Sequence, residues 1–162
     1  MRVAQKSVPI VQIDFQDLPP QDKILLVFAR AALEEAYNPY SGFSVGAAVL
    51  TRTKGIITGA NVENAAYGEA ICAERSALVR ANAQGVGHMC VAIAVVARNR
   101  NEPTTEITAP CGACRQVIKE FAERSGMGEE FRVILATTDF SNIVVATLGD
   151  LLPLSFGPKD LT

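Results

Sequence analysis

Three cysteines and one glutamate are the residues of this chain with the clearest capacity for chemistry. Cys72 and Glu74 stand two positions apart, and Cys111 and Cys114 form a C-x-x-C pair further along the chain. Two thiolates do not complete the tetrahedral shell of zinc, and Cys72 can supply a third sulfur. Zinc with three protein ligands keeps a fourth position for an acidified water, so this set predicts a catalytic site rather than a closed structural one.

Glu74 is the expected proton carrier beside that water. The alternative is an acidic residue that only stabilises a helix N-terminus. Residues two apart on a helix point to nearly opposite sides, so Glu74 is poorly placed as a fellow ligand of Cys72. With Cys72 at the cap, Glu74 is better placed to face a substrate and act as a general acid and base.

Both ligand motifs fall where helices are expected to start. One helix is predicted over about 72–83, ending at Gly85, and another over about 111–124, ending at Gly126. Helix N-termini present unpaired N–H groups and the positive end of the helix dipole, which favour thiolates. Pro110 agrees with this placement, because proline suits the first turn of a helix.

The rest of the pattern alternates strands with helices and predicts an α/β fold. Helical spacing of apolar residues starts near Pro20 and stops near Tyr37. A hairpin is expected around the Arg52–Gly55 turn. Apolar, β-branched runs predict strands at 45–50, 55–60, 89–97, 133–136 and 143–146. Residues 1–18 are expected to be an N-terminal arm able to pair as an edge strand over 8–13, and 19–162 a single domain.

Composition excludes several classes of function. The chain has 162 residues and a formal net charge of −2, without the basic cluster that polyanion binding requires. No apolar run approaches the roughly 18 residues of a membrane span, and residues 1–20 lack a signal-peptide stretch. We therefore expect a cytoplasmic protein with neither nucleic acid nor membrane as partner. In that reducing compartment the four cysteines are thiols or metal ligands.

Five motifs, in family order along residues 20–162, resemble those of the cytidine deaminase family in its small, three-cysteine type. They are YSGFSVGAA at 40–48, NVENA at 61–65, CAER at 72–75, PCGACRQ at 110–116, and LLP with SFGP at 151–158. Three zinc ligands, a non-ligand glutamate and a P-C-x-x-C element are typical of zinc deaminases, with Cys72 in place of the commoner histidine.

The resemblance implies zinc-dependent hydrolytic deamination of cytidine and 2'-deoxycytidine to uridine and 2'-deoxyuridine plus ammonia, as in pyrimidine salvage. Glu74 is then the catalytic residue, and Cys72, Cys111 and Cys114 hold one zinc ion per chain. The implied fold is a three-layer α-β-α sandwich around a five-stranded mixed sheet. The implied assembly is a homotetramer with shared active sites.

The resemblance also implies a set of substrate contacts. Asn61 and Glu63 project to the same side of an extended segment, and they correspond to residues that bind the ribose. Phe43 corresponds to a residue that packs on the pyrimidine ring. Tyr67 lies in the same substrate segment, with a subunit contact as its alternative role. Phe156 matches a residue that reaches across from the neighbouring subunit to cover the base.

A cation is expected near the sulfurs. Three thiolates outweigh the charge of one zinc ion, and this excess weakens the metal as a Lewis acid unless a positive group lies close. The resemblance assigns that thiolate contact to Arg75. The role of Arg115 stays open, with a structural ion pair as one interpretation. Cys90 lies in an apolar run and is expected to be a small buried residue outside the site.

Other functions remain open on the sequence alone. The C-x-x-C pair also suits a dithiol oxidoreductase, which leaves Cys72 and Glu74 unexplained. A non-catalytic zinc module needs Cys90 as a fourth ligand. Within the same chemistry, the alternative substrates are a modified cytosine nucleoside, a cytosine-containing antibiotic and a polynucleotide. The acidic charge balance disfavours the polynucleotide. Glu69 bears on this choice, because the family more often carries an apolar residue there.

Overall fold

The structure is a computed structural model that describes residues 10–99 and 102–161. Its six strands are β1 (Val11–Gln12), β2 (Phe43–Thr51), β3 (Ile56–Ala60), β4 (Cys90–Asn99), β5 (Arg132–Ala136) and β6 (Ile143–Thr147). Its α-helices are α1 (Pro20–Ala31), α2 (Ala73–Ala83), α3 (Gly112–Arg124) and α4 (Leu148–Leu151). None of the helices in these two ranges has the length and apolar character needed to cross a membrane.

The strands form one mixed sheet between two helical layers. Their order is β1-β6-β5-β4-β2-β3, in which only the β4–β5 pair is parallel. Residues of α1 share one apolar cluster with the sheet, and residues of α2 and α3 share the cluster on its opposite face. The predicted α-β-α layering is therefore confirmed, and both helices that carry the cysteines lie on the same side.

The predicted strand count was wrong, because the sheet has six strands and not five. The additional strand is β1, which lies at the sheet edge within the expected edge strand 8–13 and pairs with β6 through Val11 opposite Val145 and Gln12 opposite Val144. A two-residue strand is too short to show an alternation of apolar and polar residues. The sequence therefore does not identify its partner strand. The expected edge strand at 8–13 extends in part over residues 8 and 9, which lie outside the described residues.

The two cysteine-bearing helices end as their glycines predicted. Gly85 and Gly126 have φ angles of 78° and 73°, a left-handed conformation that glycine adopts without a steric penalty. At each end the chain closes a Schellman motif, with Val86 N–H donating to the Ala81 carbonyl in one case. The first helix is shorter than the predicted one, which was expected to stop near Tyr37. Helix α1 ends at Ala31, and a 3-10 turn over Ala32–Glu35 follows it.

Two glycines allow the helical layers to press closely on the β2–β3 hairpin. A Cβ at Gly46 would lie 2.1 Å from the Ala29 carbonyl oxygen of α1. A Cβ at Gly59 would lie 2.4 Å from the Ala77 backbone nitrogen of α2. Backbone atoms cannot move aside like a flexible side chain, so these positions set the distance of each helix from the sheet. The depth of α2 then fixes where Cys72 and Glu74 lie.

Candidate zinc centre and active site

The site is built where the N-termini of α2 and α3 converge. Cys72 is the N-cap residue of α2 and Cys111 is the N-cap residue of α3, while Cys114 lies in the first turn of α3. The Sγ atoms of these three cysteines lie within 4.8 Å of one another. Because α2 and α3 pack side by side on one face of the sheet, residues far apart in sequence meet at one point.

The donor set and its geometry fit one zinc ion. Two sulfurs that each lie 2.3 Å from a tetrahedral zinc are about 3.8 Å apart, so the observed cluster needs only small side-chain rotations to close on the metal. Thiolates are soft ligands that select zinc over hard cations. The sulfurs differ in exposure, with Cys114 buried, Cys72 half-buried and Cys111 exposed. The cluster therefore has one open side.

Cys90 does not take part in this cluster. It is fully buried at the start of β4, and its Sγ approaches the Val86 carbonyl oxygen at 3.9 Å. Burial raises the pKa of the Cys90 thiol to about 11, so it stays protonated and is a poor metal ligand. Within the described residues the metal-capable group consists of the other three cysteines, which argues against the closed four-cysteine module.

Hydrogen bonding divides the protons unequally among the clustered thiols. The hydrogen bond from the Cys114 thiol lowers the pKa of Cys72 to about 5, and a contact from Arg75 adds to this effect while burial opposes it. The same hydrogen bond and burial raise the pKa of Cys114. The Cys72 thiol is thus more acidic than the Cys114 thiol, and a thiolate is the form that binds metal.

Arg75 contacts the cluster directly. Its Nη2 donates to Cys72 Sγ at 3.4 Å and to the Ala70 carbonyl oxygen at 2.9 Å. The hydrogen bond to Cys72 raises the pKa of Arg75, which is a cation at any pH in any case. Its buried Nε has no hydrogen-bond partner among the described residues. The side chain that the sequence placed near the sulfurs is therefore positioned to offset their negative charge.

Glu74 follows Cys72 on the first turn of α2 and is only 4% exposed. Burial raises the pKa of its carboxyl above the usual value, with the negative charge of Cys72 as a further cause. A carboxyl group with a raised pKa can hold a proton and release it near neutral pH, as an acid–base catalyst must. Glu74 lines the same cavity as Cys72 and Cys111.

That cavity has a volume of about 230 Å³ and combines a polar end with apolar walls. Its polar end carries Glu74, Cys72 and Cys111, and Asn61 and Glu63 also line it. The remaining lining residues are Val45, Val62, Ala70, Ile71, Val95, Thr108 and Ala109. Such walls suit a flat ring whose polar edge faces the sulfurs and the carboxyl group. The sequence did not single out Thr108 and Ala109, although they directly precede Pro110.

Asn61 and Glu63 are held rigidly beside the cavity. Asn61 Oδ1 accepts from Val45 N–H at 2.8 Å, and its Nδ2 donates to the Phe43 carbonyl at 2.9 Å. Glu63 Oε2 accepts from the backbone N–H of Tyr40 at 2.9 Å. The hydrogen bond from the Ser41 side chain, with backbone N–H groups in support, lowers the pKa of Glu63. Glu63 is therefore a firmly ionised acceptor with a fixed orientation.

Three expected substrate contacts are not among the residues that line this cavity in the described chain. Phe43 is half-buried and contributes its carbonyl group to the Asn61 contact. Tyr67 is 77% exposed and packs edge-to-face on Tyr40, with ring centroids 5.8 Å apart, in an adjoining cavity of about 360 Å³. Phe156 is 58% exposed on the C-terminal segment. The described chain therefore does not place the rings of Tyr67 and Phe156 on the wall that carries Glu74 and the cysteines.

Fold and site together define a zinc-dependent hydrolase of the α/β class, with three thiolate ligands and one buried carboxyl group. The family described as "Cytidine and deoxycytidylate deaminase zinc-binding region" matches residues 19–127. The chain belongs to the cytidine deaminase family, which carries one zinc ion per chain at this site.

Individual relatives agree with this membership. A cytidine deaminase of Halalkalibacterium halodurans is 42% identical over 139 residues, which is 86% of this chain and 96% of that protein. A cytidine deaminase of Mycobacterium tuberculosis is 37% identical over 133 residues, 82% of this chain and 87% of its own length. A crystal structure of cytidine deaminase from Burkholderia pseudomallei superposes with a TM-score of 0.72 at 44% identity. The match covers 82% of this chain and 97% of the chain in that structure.

Proposed function

We propose that this protein hydrolyses cytidine and 2'-deoxycytidine to uridine and 2'-deoxyuridine with release of ammonia. The observation that carries the proposal is the position of Glu74, buried on the wall of a cavity that also holds two of the three clustered cysteines. A dithiol oxidoreductase needs neither the third sulfur nor the carboxyl group. Membership in the cytidine deaminase family supports the same reaction.

The chemistry divides between the metal and the carboxyl group. When bound by Cys72, Cys111 and Cys114, zinc supplies the Lewis acidity that activates water for attack at C4 of the cytosine ring. Glu74 takes up the proton released in that step and delivers it to N3. It then takes the proton of the new C4 hydroxyl group and passes it to the amino nitrogen, which leaves as ammonia as the C4 carbonyl forms. Its raised pKa suits both transfers.

Asn61 and Glu63 are proposed to bind the hydroxyl groups of the sugar. Both line the cavity, and these contacts leave the second N–H of the Asn61 amide and the second carboxylate oxygen of Glu63 for the substrate. Phe43 is proposed to pack on the pyrimidine ring. Glu69 is exposed on a 3-10 turn and does not line the cavity, which favours ordinary cytidine over a modified cytosine nucleoside or an antibiotic.

We also propose a homotetramer in which Phe156 and Tyr67 complete the sites of neighbouring chains. Large apolar side chains are exposed on the walls of the two adjoining cavities, with Tyr67 at 77%, Ile71 at 48% and Val62 at 43%. An exposed group of this kind supports an association face. Phe156 is 58% exposed, so its ring is accessible to a neighbouring chain.

The cellular setting follows from the same features. We propose a cytoplasmic salvage enzyme acting on free nucleosides, in which residues 19–162 form the catalytic domain and residues 1–18 an arm. The free thiols of Cys72, Cys90, Cys111 and Cys114 suit a reducing compartment. The net charge of −2 argues against a nucleic-acid partner.

The decisive experiment is Glu74→Gln, assayed by ammonia release and by loss of cytidine absorbance. We expect full zinc content and a turnover reduced by at least ~10⁴-fold, the upper end of the range for acid–base catalysis, because one group serves two proton transfers. Glu120→Gln, on the exposed face of α3, is the matched control. Turnover close to that of the parent in zinc-loaded Glu74→Gln protein would refute the role.

Free cytosine provides the test of the sugar contacts. Cytosine lacks the hydroxyl groups that Asn61 and Glu63 are proposed to bind, so it should be a poor substrate for the parent protein. Asn61→Ala and Glu63→Ala should reduce deamination of cytidine far more than that of cytosine. Efficient turnover of cytosine by the parent would move the assignment to a base deaminase.

A further inference from the structure

Arg115 connects the zinc-ligand turn to the C-terminal segment. Its Nε donates to the Pro110 carbonyl oxygen at 2.8 Å, and its Nη1 donates to the Leu151 carbonyl oxygen at 2.7 Å. Pro110 is buried and immediately precedes the ligand Cys111, whereas Leu151 is the last residue of α4. The sequence left open an ion pair for Arg115. Within the described residues Arg115 forms no ion pair, and its hydrogen bonds go to these two carbonyl groups.

Neighbouring side chains of α3 hold the rest of the same segment. Gln116 Nε2 donates to the Phe156 carbonyl oxygen at 3.1 Å. Lys119 is 1% exposed and pairs with Glu123, and a Cβ at Gly157 would lie 3.2 Å from Lys119 Cε. The segment 151–157 therefore rests on the helix whose first turn carries two of the zinc ligands.

The guanidinium group is specifically suited to this link. Its donors form a rigid planar fork, so one side chain can reach two carbonyl groups in different directions. A lysine carries the same charge on a single nitrogen and cannot span both with that geometry. Cys111 is the most exposed of the three cysteines. Its position thus depends on the backbone that Arg115 fixes through Pro110.

We propose that Arg115 is a positioning residue that couples the Pro110–Cys111 turn to segment 151–157, and through that segment to Phe156. The first half of this inference, that Arg115 helps to retain zinc, rests on the clustered cysteines and not on the proposed reaction. The substrate half rests on the proposed function of Phe156. A change in Arg115 is thus expected to alter both the retention of zinc and the affinity for the nucleoside.

The test compares Arg115→Lys with Arg124→Lys. Arg124 is a control at the end of the same helix, where its Nη2 donates to Asn82 Oδ1 and its guanidinium group lies over the Phe121 ring. Zinc release is followed with a chromogenic chelator, and KM and kcat for cytidine are measured with zinc in excess. We expect Arg115→Lys to release zinc about tenfold faster and to raise KM several-fold, because each lost hydrogen bond is worth up to about a tenfold change. Arg124→Lys should match the parent in both.

A second variant isolates the substrate half. Gln116→Ala removes one exposed hydrogen bond to Phe156, so it leaves the fold intact and should raise KM without changing zinc release. Parent-like zinc release and KM in Arg115→Lys, with only a lower melting temperature, would overturn the proposal. Unchanged KM in Gln116→Ala would overturn the coupling to Phe156.

The zinc-release outcome is independent of the reaction assigned to the protein. Zinc release needs no substrate, so faster release from Arg115→Lys in a protein that does not deaminate cytidine would support the first half of the inference and reject the proposed function. Deamination by the parent, with identical zinc release in both arginine variants, would keep the function and reject the role of Arg115.

Discussion

Arg75 Nη2 lies 3.4 Å from the Sγ of Cys72, close enough for a charge-assisted hydrogen bond between a cation and a thiolate. The same nitrogen is anchored by the Ala70 carbonyl oxygen at 2.9 Å. The guanidinium group therefore sits in a fixed position against one ligand of the metal site. We expect its charge to offset the excess negative charge of three thiolates, which would otherwise weaken zinc as a Lewis acid.

Arg75→Gln should retain zinc and fold but deaminate cytidine about tenfold to a hundredfold more slowly, as expected for loss of a hydrogen bond to a charged group. Arg80→Gln is the control, because Arg80 lies further along α2 and contacts the Thr58 carbonyl at the exposed surface. The measurement is kcat at matched zinc content. Equal kcat in both variants would show that Arg75 does not act on the metal.

The three clustered cysteines should each be necessary for stoichiometric zinc. Cys72→Ala, Cys111→Ala and Cys114→Ala each remove one of three sulfurs, and we expect zinc content by mass spectrometry to fall well below one ion per chain. Cys90→Ala should lower stability modestly by leaving a small cavity, and keep its zinc. Full occupancy in Cys72→Ala would contradict the site.

Gly59→Ala tests the close approach of β3 to α2. The added methyl group would lie 2.4 Å from the Ala77 nitrogen and 2.7 Å from the Ala73 carbonyl oxygen, so α2 must shift. We expect the free energy of unfolding to fall by about 1–3 kcal/mol, as overpacking does. Gly68→Ala meets no atom within 4 Å and should stay within about 0.5 kcal/mol of the parent. Denaturant unfolding of both variants decides the point.

Phe156→Ala should raise KM for cytidine while zinc content and assembly stay intact. The ring is 58% exposed in one chain, so its removal leaves the core undisturbed and affects only a surface that a neighbouring site is proposed to use. Dilution to monomers should remove activity even with zinc bound. Light scattering under assay conditions supplies the control, and a fully active monomer would show that each site is built from one chain.

The ligand set and its placement were within reach of the sequence because they depend on local spacing. Cys72 and Cys111 cap their helices as the motifs indicated, and Gly85 and Gly126 end those helices with positive φ angles. Capping and left-handed termination are decided by a few neighbouring residues. The alternation of strand and helix patterns predicted an α/β fold, and the resemblance to the cytidine deaminase family implied the layering of helices around a mixed sheet.

Only the tertiary structure decided features that join distant parts of the chain. Strand β1 pairs with β6 because packing brings Val11 opposite Val145. A two-residue segment carries no periodicity that could identify this partner. The contacts of Glu63 with Tyr40 and of Arg115 with Leu151 depend on how separate elements pack. The sequence by itself determined which groups can bind zinc and carry protons. The fold determined which backbone groups hold them in place, because a hydrogen bond between distant residues exists only once packing has brought them together.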